Sequence, residues 1–385
     1  MCMSIYVYIH THLSHNTPII YSTIPLHENT MLYIIPIILL CLILISIIYL
    51  THIMHIYRLH QYNNPSTLFQ VVYALYNTHI GQLLHWSLLY LQKPIKHTIS
   101  CQSPDEYPSF LVYYVPYLTD NYAYIIQDKS TSKIAIIDPA DPMNVLDMIH
   151  THVVSSELCY VLCTHKHMDH AAGNHYIRSR YSNIRVVCGQ YEHVCGQNYT
   201  ALDGDRLYLG NTVIQIIYTP GHTVGHVSYY VSEKQSDEGA VFTGDTLFIG
   251  GCGRFFEGSP KDMYTSLYDK LLQLPPSTAV YCGHEYTVSN LQFCAQVEPE
   301  NKHIQNKLIW AETQRLQRKP TIPSTLQDEL MYNVFLRARE LLESRDTLRC
   351  YLLSEAGTEN DKELEAMVIG TLRKWKDSKK RPTCI

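Results

Sequence analysis

Seven side chains in this chain have the types and spacing that hold metal ions. The densest group is Thr164-His165-Lys166-His167-Met168-Asp169-His170, with three imidazoles and a carboxylate in six positions, directly after the apolar run Leu158–Cys163. A tight loop aims residues 165 and 167 at one point and 169 and 170 at another, which is a layout for two adjacent ions. Imidazole with carboxylate donors suits zinc, iron or manganese, and the lack of thiolates argues against a closed structural zinc site. Three further candidates each end a predicted strand: His222 in Pro220-Gly221-His222-Thr223, Asp245 in Thr243-Gly244-Asp245-Thr246, and His284 in Cys282-Gly283-His284-Glu285. Each follows a glycine, which lets the backbone turn sharply. A lone His at a strand end is ordinarily a hydrogen-bonded polar residue; the dense cluster followed by three more candidates points to a dinuclear site.

The elements that must position these groups are legible from periodicity. Strands are expected at 110–116, 122–127, 133–137, 158–163, 184–188, 206–209, 213–218, 227–231, 240–242 and 279–282, with a short helix at 145–152. From residue 288 the pattern turns helical, at 291–297, 302–318, 333–344 and 362–376. Strands flanked by helices predict a layered α/β catalytic domain over 110–285, followed by a helical domain over 286–385.

Composition bounds the rest. The chain has 385 residues and a net charge of −5, which gives a nucleic-acid partner no support. Its twelve Cys are scattered without a C-x-x-C pair, as for reduced thiols in a cytosol-like compartment. The first hundred residues carry only Arg58, Lys93, Lys96 and Glu28 as charges and hold ten incidental His. Leu32–Leu50 is uncharged for nineteen residues, roughly 28 Å of helix, close to a bilayer's hydrocarbon core. Residues 31–50 are therefore expected to form a transmembrane anchor, with Tyr33 and Tyr49 at its interfaces. Basic residues follow the anchor and none precedes it, so the large C-terminal part is expected to face the cytosol. Residues 1–30 are expected to be an optional or mis-assigned leader, with Met31 a natural start; a mitochondrial or soluble form is compatible with the leader's absence. Residues 51–109 are expected to be an apolar juxtamembrane helical region, its stretch 68–91 lying in the membrane interface or packing on the soluble domain, closed by a polar linker at 102–108.

The set T-H-K-H-M-D-H, G-H-T-x-G-H, G-D-T and G-H-E-Y resembles the metallo-β-lactamase fold and, more narrowly, the glyoxalase II (hydroxyacylglutathione hydrolase) family. Supporting stretches are Leu118-Thr119-Asp120-Asn121-Tyr122, Gly251-Cys252-Gly253-Arg254, Val297-Glu298-Pro299-Glu300-Asn301 and Pro323-Ser324-Thr325-Leu326, so the resemblance covers about 112–377. Arg254-x-Phe256-Glu257-Gly258 is similar to a branch with a hydrophobic N-terminal leader. The resemblance implies a four-layer αββα sandwich with a C-terminal helical substrate-binding domain. It implies two divalent metal ions, zinc foremost, with iron or manganese as alternatives. His165, His167 and His222 would hold the first; Asp169, His170 and His284 the second; Asp245 would bridge them. A metal-bound water positioned by Asp169 and Asp245 would attack the thioester carbonyl of an S-(2-hydroxyacyl)glutathione such as S-D-lactoylglutathione, releasing glutathione and a 2-hydroxy acid, as in methylglyoxal catabolism.

The same resemblance places the glutathione site at Arg254, Phe256, Tyr286, Arg373 and Lys376. Arg254 stands where the family has Lys, and keeps the charge as a planar fork. Phe256 stands where it has Tyr, and loses a donor worth about 1.5–3 kcal/mol against a charged partner. The expectation is a working hydrolase with weakened or shifted substrate preference. Two alternatives are a glutathione-linked persulfide dioxygenase with one iron, and a membrane-anchored regulatory or interaction protein with weak residual hydrolysis. His226 and His175 are expected to be supporting or surface residues, Cys252 and Cys282 buried thiols, and Asp138 a structural turn carboxylate.

Overall fold

Apolar runs punctuated by turn residues build two sheets. In the computed structural model of the protein, the described residues are 103–380 apart from 154, 234–237, 345 and 357–359. The leader, the expected anchor and the stretch 68–91 lie outside them. Among the described residues no helix is long and apolar enough to cross a membrane.

The first sheet runs β1 (Asp105–Glu106), β2 (Phe110–Tyr117), β3 (Asn121–Asp128), β4 (Lys133–Ile137), β5 (Glu157–Leu162), β6 (Arg185–Gly189) and β7 (Tyr199–Ala201), in that spatial order. Pairing is antiparallel from β1 to β4 and parallel from β4 to β7. The strands that follow in the chain are β8 (Arg206–Leu209), β9 (Thr212–Tyr218), β10 (Val227–Glu233), β11 (Gly239–Gly244), β12 (Leu247–Phe248), β13 (Gly251–Cys252), β14 (Ala279–Cys282) and β15 (Ser324–Thr325). The second sheet has the order β15-β14-β11-β10-β9-β8, and β12 and β13 form a separate hairpin.

The two sheets face each other across one apolar core. The Tyr124 ring of β3 lies 5.1 Å from Phe242 of β11 and 5.5 Å from Tyr281 of β14, both edge-on. The outer face of the first sheet (Ile125, Ile134, Ile136) is covered by Val145, Leu146 and Ile149 of the helix Pro142–His152. That helix starts where Asp141 accepts the Met143 and Asn144 N–H groups, ahead of Pro142 at its first position. The core on the second sheet's side takes in Met263 and Leu267, from the helical run after Pro260, and Leu291 of the helix Thr287–Val297. The arrangement is an α/β sandwich followed by helices.

The C-terminal region is more broken than expected. Its helices are Thr287–Val297, Lys302–Leu316, Leu326–Tyr332, Ala338–Ser344, Asp346–Ala356 and Asp361–Ser378. The single helix read over 333–344 is a short turn, Val334–Leu336, then a helix from Ala338. The region also returns an edge strand, β15, to β14. The stretch read as a linker is stitched down as well. β1 pairs with β2, Tyr107 stacks on Phe110 at 4.4 Å, and the Tyr281 hydroxyl donates to Asp105 at 2.8 Å. A polar stretch ending in an aromatic residue is the pattern of an edge strand as much as of a linker.

Asp128, at the end of β3, clamps the two sheets at their edge. One carboxylate oxygen accepts from the backbone and hydroxyl groups of Ser130 and Thr131; the other accepts from Asn211 N–H, Thr212 N–H and the Thr212 hydroxyl at 2.9–3.1 Å. Burial alone would raise its pKa, but these donors bring it down to about 2. Its folded pKa is depressed, so the stabilisation is present above the ordinary carboxylate pKa and is lost as pH falls through about 2. Asp128→Asn is expected to cost about 2 kcal/mol at pH 7. Urea titrations over a pH series should show that difference closing as the pH drops from about 4 to about 2.

Candidate metal centre

The candidate ligands sit at the C-terminal ends of four strands on one edge of the sandwich. His165, His167, Asp169 and His170 follow β5, His222 follows β9, Asp245 follows β11, and His284 follows β14. Two glycines make the approach feasible. Gly244 holds φ +46°, and a Cβ there would lie 2.6 Å from the Thr164 hydroxyl. A Cβ on Gly283 would lie 2.6 Å from Asp245 Oδ1. Neither position has room for a side chain.

The donors converge in overlapping groups. His165 with His167 and His222, His165 with His170 and Asp245, and Asp169 with His170 and His284 each bring one ligand atom per residue within 4.8 Å of the others. Nε2 of His165 and Nε2 of His222 both lie 2.9 Å from Nδ1 of His167. Nε2 of His170 lies 3.2 Å from Nε2 of His284. Asp245 stands between the groups. Its Oδ2 is 3.4 Å from His222 Nε2, while Oδ1 is 3.3 Å from His170 Nε2 and 3.5 Å from His284 Nε2. All seven residues predicted as ligands meet at this one place.

The outward nitrogens leave the inward ones free to act as metal donors. His170 Nδ1–H donates to Asp138, His284 Nδ1–H to Asp120 and His222 Nδ1–H to the Arg254 carbonyl, each at 2.9 Å. The Thr164 hydroxyl donates to Asp138 at 2.7 Å, so it accepts from His165 Nδ1–H at 3.0 Å. With the outward position protonated, each of these four imidazoles presents Nε2 to the centre, free to give its lone pair to a cation. Facing ring nitrogens about 3 Å apart repel, as two lone pairs or as two N–H groups, and Asp245 Oδ1 is buried without a hydrogen-bond donor. A cation between them removes both problems, so the residues fit divalent metal.

The field in the centre is uneven. Burial, then neighbouring imidazoles, hold His165 well below its ordinary pKa, and the same causes bring His167 down to about 3. Burial would lower His170 too, but the carboxylates of Asp245 and Asp169 lift it to about 9. His284 is lifted likewise, against burial, by Asp245 and by its bonds to Asp120 and Asp169. One group is thus a set of neutral donors, and the other is carboxylate-rich and attracts positive charge.

The expected substrate residues partly border this centre. The Phe256 ring lies 5.2 Å from His222 and 5.5 Å from His167. Tyr286 stacks on His284 at 4.6 Å. The Arg254 guanidinium lies 5.5 Å from the Phe256 ring. Arg373 and Lys376 sit farther along the helix Asp361–Ser378, bonded to the Cys252 carbonyl and to Asn290 Oδ1. Cys252 and Cys282 are buried thiols, pushed by burial up to about 11 and about 12. His175 is exposed. His226 is buried, and its Nε2 accepts the Asp245 N–H at 3.1 Å, so it sets the backbone of that ligand.

Other functional residues went unread in the sequence. Asp138, taken as a turn carboxylate, orients His170 and, through Thr164, His165. Asp120 orients His284, and Asn121 Nδ2 donates to Asp169 Oδ2 at 3.2 Å. Lys166 Nζ donates to Glu257 at 2.9 Å, and Val224 N–H donates to the same oxygen at 3.1 Å, joining the two loops of His165–His170 and His222 to the loop after β13. The advance signals were the Leu118–Tyr122 and Arg254–Gly258 stretches, which carried a resemblance but no role for Asp120, Asn121 or Glu257. Removing an orienting carboxylate typically weakens metal binding about 10–100-fold. Asp120→Ala is expected to release one ion per chain at low chelator concentration while the other is retained, as read by metal analysis after chelator titration.

With the geometry in place, comparisons with known proteins agree with it. The profile described as hydroxyacylglutathione hydrolase C-terminus matches residues 285–379, and that of the metallo-beta-lactamase superfamily matches 117–284. A cytoplasmic hydroxyacylglutathione hydrolase of Arabidopsis thaliana is 49% identical over 227 residues, covering 59% of this chain and 87% of that protein. A hydroxyacylglutathione hydrolase-like protein of Gallus gallus is 42% identical, over 58% of this chain and 78% of its own. A hydroxyacylglutathione hydrolase of Rippkaea orientalis is 39% identical, over 58% and 87%. Both the donor set and the helical region that follows it are thus accounted for, and the chain belongs to the hydroxyacylglutathione hydrolase family of the metallo-beta-lactamase superfamily.

Proposed function

We propose that this chain hydrolyses S-(2-hydroxyacyl)glutathione thioesters such as S-D-lactoylglutathione to glutathione and a 2-hydroxy acid. The observation that carries the reading is the pair of donor groups sharing Asp245, next to aromatic and cationic side chains, in a chain of this family. His165, His167 and His222 would hold one ion and Asp169, His170 and His284 the other, with Asp245 between; zinc is the ion proposed. Two such ions supply Lewis acidity and an activated water. Asp169 has the most exposed side chain among the donors, at 41%, so with Asp245 it orients the attacking water from the open side. The departing thiolate needs little protonic help, because thiols are far more acidic than alcohols. Phe256 and Tyr286 wall the acyl group on either side, and Arg254, Arg373 and Lys376 offer positive charge to the two carboxylates of glutathione. The C-terminal helical region with Tyr286, Arg373 and Lys376, matched over 285–379, favours this reading over a one-iron dioxygenase.

We also propose that residues 31–50 anchor the chain in a membrane with the catalytic part in the cytosol, which rests on the uncharged run and the charges flanking it.

The test uses the full-length, metal-loaded chain and follows loss of the S-D-lactoylglutathione thioester. Turnover is expected with two ions per chain. Asp245→Ala should lower it at least about a hundredfold and reduce the metal content. Phe256→Tyr should lower KM about tenfold by restoring a donor. No turnover of any glutathione thioester by the loaded chain would overturn the proposal.

A further inference from the structure

Asp377 stands where two of the substrate-site cations meet. Its Oδ1 accepts from Arg254 Nε at 3.1 Å and from Arg373 Nη2 at 2.8 Å. Arg254 reaches it from the loop after β13, the loop whose carbonyl holds His222 and whose Phe256 ring lies against the metal ligands. Arg373 reaches it from its own helix, one turn back, with Nη1 tied to the Cys252 carbonyl at 3.0 Å. The Nε of Arg373 is buried without a hydrogen-bond partner. A cavity of about 410 Å³ opens beside the bridge, lined by Phe255, Gly370, Arg373, Lys374, Asp377 and Ser378.

The two ends of the bridge differ. The Arg373 side chain is 10% exposed and the Arg254 side chain 55%. Arg373 is therefore fixed, and the Arg254 end is open to an incoming ligand. A guanidinium fork matches one carboxylate well. A second carboxylate arriving on the same face meets a fork already engaged and the charge of Asp377 itself.

We infer that Asp377 is a built-in competitor for the substrate's carboxylate, a specificity-determining residue that occupies Arg254 and Arg373 in the free protein and yields Arg254 to an anionic thiol conjugate. The inference deepens the substrate reading above and rests on it. A ligand must then offer a carboxylate that suits the Arg pair better than Asp377 does, which selects against small or badly placed anions. Removing the competing charge strengthens binding of an anionic thioester and leaves an uncharged one alone. Because the bridge is partly exposed, the gain is that of a screened ion pair, about two- to fivefold in affinity.

The experiment compares full-length, metal-loaded wild type with Asp377→Asn and Asp377→Glu. The probes are S-D-lactoylglutathione and the uncharged thioester S-lactoyl-N-acetylcysteamine. Asp377→Asn is expected to lower KM for the glutathione thioester about two- to fivefold at low salt, and the gain should shrink in about 0.5 M salt. KM for the uncharged thioester should not move, and Asp377→Glu should keep the wild-type preference. An unshifted or higher KM for S-D-lactoylglutathione in the Asn variant, or an equal shift on both probes, overturns the inference. A wild type inert toward S-D-lactoylglutathione overturns the substrate reading and this inference together. An active wild type with an unaltered Asn variant overturns this inference alone.

Discussion

Five imidazoles converge at the edge of this sandwich, their facing nitrogens crowded to about 3 Å. Four are held that way from behind by Asp138, Asp120, the Thr164 hydroxyl and the Arg254 carbonyl. A buried acceptor without a donor costs about 1–3 kcal/mol, and the centre adds Asp245 Oδ1 to that debt. The surrounding structure has to be stable enough to carry this strain. The apolar core between the sheets and the pairing of every strand that ends at the site supply that stability, and bound cations return the rest.

The two halves of the centre handle charge differently. Around His165, His167 and His222 burial, with neighbouring imidazoles adding to it, holds the rings below their ordinary pKa, so this half presents neutral donors. Around His170 and His284 the carboxylates of Asp169 and Asp245 dominate, and these imidazoles are pulled toward the charged form. The same field that would hold protons there holds a divalent ion more strongly. Asp245 touches both halves, so their affinities are coupled: charge placed on one side changes what its carboxylate offers the other.

The candidate ligands were legible in the sequence because four of them crowd into one six-residue loop after a strand and each of the other three follows a strand-end glycine. The residues that orient them were not, because orientation comes from chain segments far apart. Asp120 meets His284 across 164 positions, and Lys166 meets Glu257 across 91. Asp138 follows a strand like any turn carboxylate, and only the parallel pairing of β4 with β5 brings it under His170. In the C-terminal region the long helices with clear apolar faces were readable. Leu326–Tyr332 was not, since its polar Glu329 points inward. Glu329 accepts from the Gly250 N–H, Ser324, Tyr332 and Asn333, so a buried carboxylate does the work of a core residue there. The polar stretch before Phe110 misled for the same reason: its partner Tyr281 lies 174 residues from Tyr107.

The loop after β13 and the donor cluster are mechanically one piece. Arg254 uses its backbone carbonyl to fix His222 and its side chain to reach Asp377 on the last helix. Two residues on, Phe256 rests against His222 and His167, and Glu257 takes hold of Lys166 between His165 and His167. A side-chain change at Arg254 therefore alters charge without loosening the ligand, since the carbonyl stays. A change in the path of the loop disturbs the ligand, the aromatic wall and the ion pair at once. That separation lets the side chains at 254 and 256 vary while the geometry of the donor cluster stays complete.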